Sequence, residues 1–225
     1  MIRQLYRVWL PQHASDRRRT QQRSTRDRNQ ENQKGRRYSM IIQGERVKLR
    51  PIAPADVKQL IIWSQDPEVS RFLEADYPEE LHEAEAWYQK IKSDRQNKRW
   101  AILTKDDHLI GDVELDHIAW RSREAEMRIC IGDRRFWNKG YGTDAVLTVC
   151  RHAFMDLSLN EIYLRVFTEN VRAIRCYEKA GFVKEGRIER PDPYGNVREV
   201  LLMRQTRRAF EKRYQQRTEK SDLTA

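Results

Sequence analysis

The sequence predicts a single mixed α/β domain of the α+β kind, with a sheet of about seven strands flanked by about four helices. Three observations predict it. Strand-like runs and helical stripes follow one another in the order strand, two helices, three strands, helix, strand, helix, two strands. The three consecutive runs stand at hairpin spacing, which predicts an antiparallel meander. A glycine loop then marks the change to longer helical stripes, and no segment repeats.

In chain order, Val47 to Leu49 alternates as a short strand, and Pro51 to Pro54 leads into a helix with Val57, Leu60 and Ile61 at helical spacing. A second helix from about Glu79 to Lys92 gathers Leu81, Ala84, Trp87, Tyr88 and Ile91 on one side. The meander comprises Trp100–Leu103, Ile110–Ile118 and Ala125–Ile131, with a turn at Asp106-Asp107-His108. From Thr143 to Leu157, Ala145, Val146, Val149, Cys150, Ala153, Phe154 and Leu157 form a helical stripe. Ile162–Phe167 reads as a strand, and a short helix from Val171 to Ala180 precedes Gly181, a residue suited to a left-handed C-terminal position. Phe182–Ile188 and Val197–Met203 close the sheet around a turn at Pro193-Tyr194-Gly195-Asn196.

The chain has 225 residues and a formal charge of +10, unevenly distributed. Residues 1–39 hold 11 basic against three acidic side chains, a net +8, and lack the aliphatic content needed to offset the entropy of ordering. They are expected to be a disordered basic extension, and translation from Met40 is expected because organised sequence begins there. Residues 204–225 read as a basic C-terminal tail of net +4. The intervening 40–203 carry 26 basic and 28 acidic side chains, so the folded domain is not itself basic. Contact of the tails with nucleic acid or ribosomes remains open on charge grounds. No apolar run reaches the roughly 20 residues of a membrane-spanning helix. Three cysteines without close spacing indicate neither a disulfide framework nor a metal site, so a cytoplasmic protein without a metal is expected.

The segment Trp137-Asn138-Lys139-Gly140-Tyr141-Gly142-Thr143 lies between a strand and a helix, where glycines allow close backbone approach and the free N–H groups of a helix start attract phosphate. A pyrophosphate-bearing ligand is the expected occupant. The P-loop pattern fails because no Lys-Ser or Lys-Thr pair follows either glycine. The dinucleotide pattern fits only superficially, because the next strand ends in Val166-Phe167-Thr168 with Glu169 beyond it, and no second βαβ unit follows.

These residues resemble the GNAT superfamily of acetyl-CoA-dependent N-acetyltransferases, whose pyrophosphate loop is Q/R-x-x-G-x-G/A. Trp137 departs from the first position of that pattern. A second block, Asn170-Val171-Arg172-Ala173-Ile174-Arg175-Cys176-Tyr177-Glu178-Lys179-Ala180-Gly181-Phe182, resembles the family's N-x-x-A-x-x-x-Y-E-K-x-G-F segment. The likeness covers about residues 41–203 and looks closest to the branch of ribosomal-protein N-terminal and spermidine acetyltransferases. It implies a mixed, mostly antiparallel sheet that splays at its middle strands.

The resemblance also implies a site. Ile129, Cys130 and Ile131 would bind the pantetheine arm through their backbone, with an N–H near Ile129 polarising the thioester carbonyl. The loop 137–143, Asn170 and Ala173 would hold the rest of acetyl-CoA, and Tyr177 would protonate the departing thiolate. For the general base, Glu126 is preferred, with Asp112, Glu114 and Asp116 sharing one face of the neighbouring strand and His117 as a further candidate. That acidic row equally suits binding of a cation or pairing with Arg121, Arg123 and Arg128. Cys130 and Cys176 read as packing residues rather than nucleophiles, for lack of an activating base. The implied reaction is direct acetyl transfer to a primary amine, a protein N-terminus or a polyamine first. Aminoglycosides or amino acids are the alternative acceptors, and a non-catalytic acyl-CoA-binding module with RNA-binding tails is the rival class. The protein is expected to be a monomer or homodimer.

Overall fold

The computed structural model describes residues 41–73, 76–191 and 197–222, with side chains to residue 216. The expected N-terminal extension and the turn at 193–196 lie outside the described residues. Eight strands form one sheet: β1 (Ile42–Gln43), β2 (Val47–Pro51), β3 (Lys98–Thr104), β4 (Leu109–Ala119), β5 (Glu124–Ile131), β6 (Glu161–Phe167), β7 (Val183–Pro191) and β8 (Val197–Thr206). Their spatial order is β1-β2-β3-β4-β5-β6-β8-β7. All seven expected strands are present, and the additional one is the two-residue β1, too short to carry an alternation signal.

Every neighbouring pair is antiparallel except β5–β6, which is parallel and covers only Glu124–Glu126 against Glu161–Tyr163. Beyond that point the two strands are no longer paired. The β6-facing edge of Met127–Ile131 is therefore open in mid-sheet, and its backbone groups need partners from elsewhere.

The helices are α1 (Pro54–Gln65), α2 (Pro67–Ser70), α3 (Ala84–Ser93), α4 (Tyr141–Arg151), α5 (Val171–Ala180) and α6 (Arg207–Asp222). The expected helix from Glu79 begins instead with a 3₁₀ turn, Leu81–Glu83, before α3. The stripe to Leu157 continues past α4 as a π-helical turn, His152–Asp156. At α1, Pro54 starts the helix and the Asp56 carboxylate accepts from the Ala53 N–H at 2.7 Å.

Alternation along β3 sends neighbouring residues to opposite faces of the sheet. Ala101 and Leu103 pack with Ile52, Val57, Leu60, Ile61 and Trp87 of the α1/α3 side. Trp100 points the other way, edge-on to His152 at 5.6 Å beyond α4. The apolar stripe of α4, with Ala145, Val146, Val149 and Cys150 fully buried, completes that second layer.

The segment expected as a C-terminal tail from residue 204 carries structure. β8 pairs with β6 as far as Glu161↔Thr206, and the chain then turns into α6. Phe210 anchors this helix by burial against Phe154 at 5.4 Å between ring centroids. One buried aromatic among many charges gave too weak a periodicity to be read in the sequence. Among the described residues no helix is long and apolar enough to cross a membrane.

Candidate active site

A cleft of about 470 Å³ opens where β5 and β6 part. It is lined by Ile129, Cys130 and Ile131 of the open edge, by Trp137, Asn138, Gly140, Gly142 and Thr143 of the loop, and by Asn170, Ala173 and Tyr177 of the second block. The splay thus brings together residues that lie up to 48 positions apart in the sequence. Lys139 and Tyr141 are not among the residues that line the cleft. The Tyr141 ring packs edge-on against Phe136, which itself lines the cleft, at 5.0 Å between centroids.

The loop is shaped for an anion. Gly140 is the N-cap of α4 with φ +85°, ψ −7°, a left-handed conformation that suits glycine, and no side chain caps the helix. The first N–H groups of α4 therefore remain as donors at the positive end of the helix dipole. Gly142 lines the same cleft one residue into the helix. A Cβ there would meet only Cys176 Sγ at 3.6 Å and Ile131 Cγ1 at 3.7 Å, both ordinary contacts.

Trp137 has its own anchor, because its indole N–H donates to the Ile131 carbonyl at 2.6 Å. Asn170 is the N-cap of α5, its side-chain oxygen accepting from the Ala173 N–H at 3.2 Å. Tyr177 is buried beside Phe182, and its hydroxyl makes no hydrogen bond to any described residue. Burial pushes its pKa up, so the phenol keeps its proton at neutral pH. Burial likewise pushes the Cys130 and Cys176 thiols up, which fits packing residues and not nucleophiles.

On the α1/α3 side the cleft reaches a row of buried charges. Cross-strand pairing places Asp112 opposite Cys130, Glu114 opposite Arg128, and Asp116 opposite Glu126. Glu126, the acid preferred as base from the sequence, is held by an arginine. Arg165 grips it through two hydrogen bonds, Nε to Oε1 at 2.9 Å and Nη2 to Oε2 at 2.7 Å. Arg165 was visible in the sequence, but its side chain reaches Glu126 only because β5 and β6 are still paired at that level.

The rest of the row is mostly neutralised too. Asp116 takes Arg128 at 2.8 Å, while Glu114 is hydrogen-bonded by Arg99, itself only 4% exposed. Neither Arg121 nor Arg123 joins this set. Asp112 is different, since its nearest cation, Arg99, stands at 3.6 Å and its hydrogen-bond donor is the neutral Tyr77 hydroxyl at 2.7 Å. Burial raises its pKa to about 6 against the opposing pull of Arg99 and Tyr77. His117 is exposed on a bulge, paired with Asp116 at 3.0 Å, and does not line the cleft.

Sequence reasoning missed Tyr77 and Arg99. Tyr77 belongs to no helix or strand and is placed by stacking on Trp87, 6.0 Å between centroids, while Arg99 packs over both rings. Neither contact leaves a periodic trace.

The acetyltransferase (GNAT) domain model matches residues 46–183. The spermidine N(1)-acetyltransferase of Vibrio cholerae is 34% identical over 110 residues, covering 49% of this chain and 63% of that protein. A kanamycin resistance protein of Rhizobium radiobacter is 40% identical over 74 residues, covering 33% of this chain and 64% of that one. The chain thus spans just under two thirds of the length of these two relatives. A crystal structure of the Vibrio cholerae spermidine N-acetyltransferase in complex with CoA and spermine superposes with a TM-score of 0.67 at 26% identity, covering 73% of this chain and 98% of that one. With the glycine loop, the splayed strands and the second block on one cleft, the chain belongs to the GNAT acetyltransferase family.

Proposed function

We propose that this protein is an N-acetyltransferase that moves the acetyl group of acetyl-CoA directly to a primary amine carrying a single ammonium, such as a peptide N-terminus. The observation that carries this reading is the one cleft that joins an open strand edge and an uncapped helix start to a single weakly paired carboxylate, Asp112.

The residues present suit the acyl donor. A pantetheine arm is a chain of amides, and the unpaired edge of Ile129–Ile131 offers backbone donors and acceptors of matching kind. A pyrophosphate suits the N–H groups at the start of α4. When bound, acetyl-CoA supplies an activated acyl group as its thioester. Asp112 takes one proton from the incoming ammonium, the Tyr177 hydroxyl would give one to the thiolate that leaves, and the second proton the nitrogen sheds on becoming an amide restores the phenol. Both roles match their environments, a carboxylate titrating at about 6 and a phenol held protonated.

Acceptor preference follows from the charges. Glu114, Asp116 and Glu126 each have a close arginine, whereas Asp112 has only Arg99 at 3.6 Å, which makes it the carboxylate best able to take one ammonium. Val69, Phe72, Leu73 and Phe167 also line the cleft and suit an apolar neighbour to that amine. A polyamine acceptor is the second reading, favoured by the spermidine acetyltransferases among the relatives. Thiol release is to be measured with peptides bearing an apolar first residue, spermidine and kanamycin. The expected result is the highest kcat/KM for a peptide; a preference for spermidine supports the second reading, and no turnover with any amine favours a non-catalytic binding module.

Tyr177→Phe is expected to lower kcat by about 10²-fold or more while leaving the affinity for acetyl-CoA nearly unchanged. An unaltered kcat removes Tyr177 from the reaction.

A further inference from the structure

The first loop position holds Trp137 where the family pattern has a Gln or Arg, so the loop lacks one polar side chain at the phosphate end. The structure brings a replacement from a different element. Arg172, on the first turn of α5, sits over the Trp137 indole with its guanidinium carbon 3.4 Å from the ring centroid. That indole is in turn fixed to the Ile131 carbonyl. Stacking of this kind orients a guanidinium while leaving its in-plane N–H groups available for an anion.

Among the described residues no carboxylate pairs closely with Arg172, and Glu68 acts on it only by longer-range charge attraction. Arg172 makes no ion pair or hydrogen bond with any described residue, yet it lines the cleft. Arg175 and Lys179 line the same cleft from the next turns of α5, at i+3 and i+7, and neither has a carboxylate partner among the described residues. A row of cations on one helix face, directed at a cleft and left unpaired, points to a multiply charged anion. The opposite end of the cleft shows the contrast, since there Arg99, Arg128 and Arg165 are all neutralised by carboxylates.

We infer that Arg172, held on Trp137, is the side chain that binds the pyrophosphate of the acyl donor, with Arg175 and Lys179 extending the phosphate-binding face along α5. This rests on the acetyl-CoA reading above. Trp137 is then a positioning residue, and the charge that the loop sequence lacks is supplied in space by α5. Arg172 is exposed and does not enter the core, so its replacement is not expected to disturb folding.

The test is calorimetric titration of the full chain with CoA and, separately, with pantetheine, which carries the arm but no phosphate. Arg172→Met is expected to weaken CoA by about tenfold or more, as loss of a charge-assisted contact does, and to leave pantetheine unchanged. Arg172→Lys is expected to recover part of the loss, and Trp137→Ala to weaken CoA without affecting pantetheine. CoA affinity that is unchanged in Arg172→Met overturns the inference. Equal losses for CoA and pantetheine also overturn it, by placing Arg172 on the arm. Failure of the unaltered protein to bind either ligand brings down the acetyl-CoA reading and this inference with it.

Discussion

Replacing Asp112 with Asn is expected to lower kcat/KM by about 10²- to 10⁴-fold, the range over which a positioned proton acceptor contributes. The wild-type pH profile is expected to rise through about pH 6 and level off above it, because the carboxylate accepts a proton only once it has lost its own. In the variant that acidic limb disappears. The sign for stability is the opposite of that for a paired carboxylate. Its folded pKa lies above the unfolded value of about 4, so ionising this group opposes folding as pH rises from about 4 to about 6. Asn keeps an oxygen for the Tyr77 hydroxyl, and Arg99 keeps Glu114. The activity loss is therefore expected without a lower melting temperature, which circular dichroism can check. A profile that retains its limb near pH 6 in the variant assigns the proton transfer to another group.

The largest expected effect on stability comes from Asp144→Ala. This carboxylate, on the first turn of α4, accepts from the backbone N–H groups of Glu45 at 3.1 Å, Arg46 at 2.7 Å and Val47 at 2.9 Å. It ties the start of the helix that carries the loop to the start of β2. The contact is tight, since a Cβ on Gly44 would fall 2.6 Å from Asp144 Oδ2. Hydrogen bonds to charged groups contribute about 1.5–3 kcal/mol each, but three on one side chain do not add fully, so about 3–5 kcal/mol is expected. For a domain of this size that corresponds to roughly 6–20 °C in melting temperature. The Asn variant keeps one acceptor oxygen and is expected to lose less. A shift below about 2 °C for Asp144→Ala would show that the tie is dispensable.

Much of this protein is legible along the chain. The strand and helix order follows from local periodicity, and the two blocks around Gly140 and Tyr177 mark their elements because special backbone geometry needs particular residues. Gly140 in a left-handed conformation, Asn170 as an N-cap and Gly181 at φ +106° are all local requirements, satisfied within a few residues. Where an element is held by distant contacts the sequence is silent. β1 exists because it pairs with β2, and α6 is held by Phe210 against Phe154 and by hydrogen bonds from Arg207 to Asn160 and from Arg213 to Lys179. The same limit applies to the charges. Composition places four acids near one cleft, but which of them is free to act depends on where Arg99, Arg128 and Arg165 arrive.

The sequence by itself determined the fold class and the positions of the glycine loop and of the helix that carries Tyr177, because each rests on bonding between near neighbours. Only the tertiary structure decided that Glu126 is spoken for, that Asp112 is the weakly paired carboxylate, and that Arg172 meets Trp137. Coulomb attraction and desolvation depend on distances in space, and residues 13 to 39 positions apart acquire those distances only when the sheet is assembled.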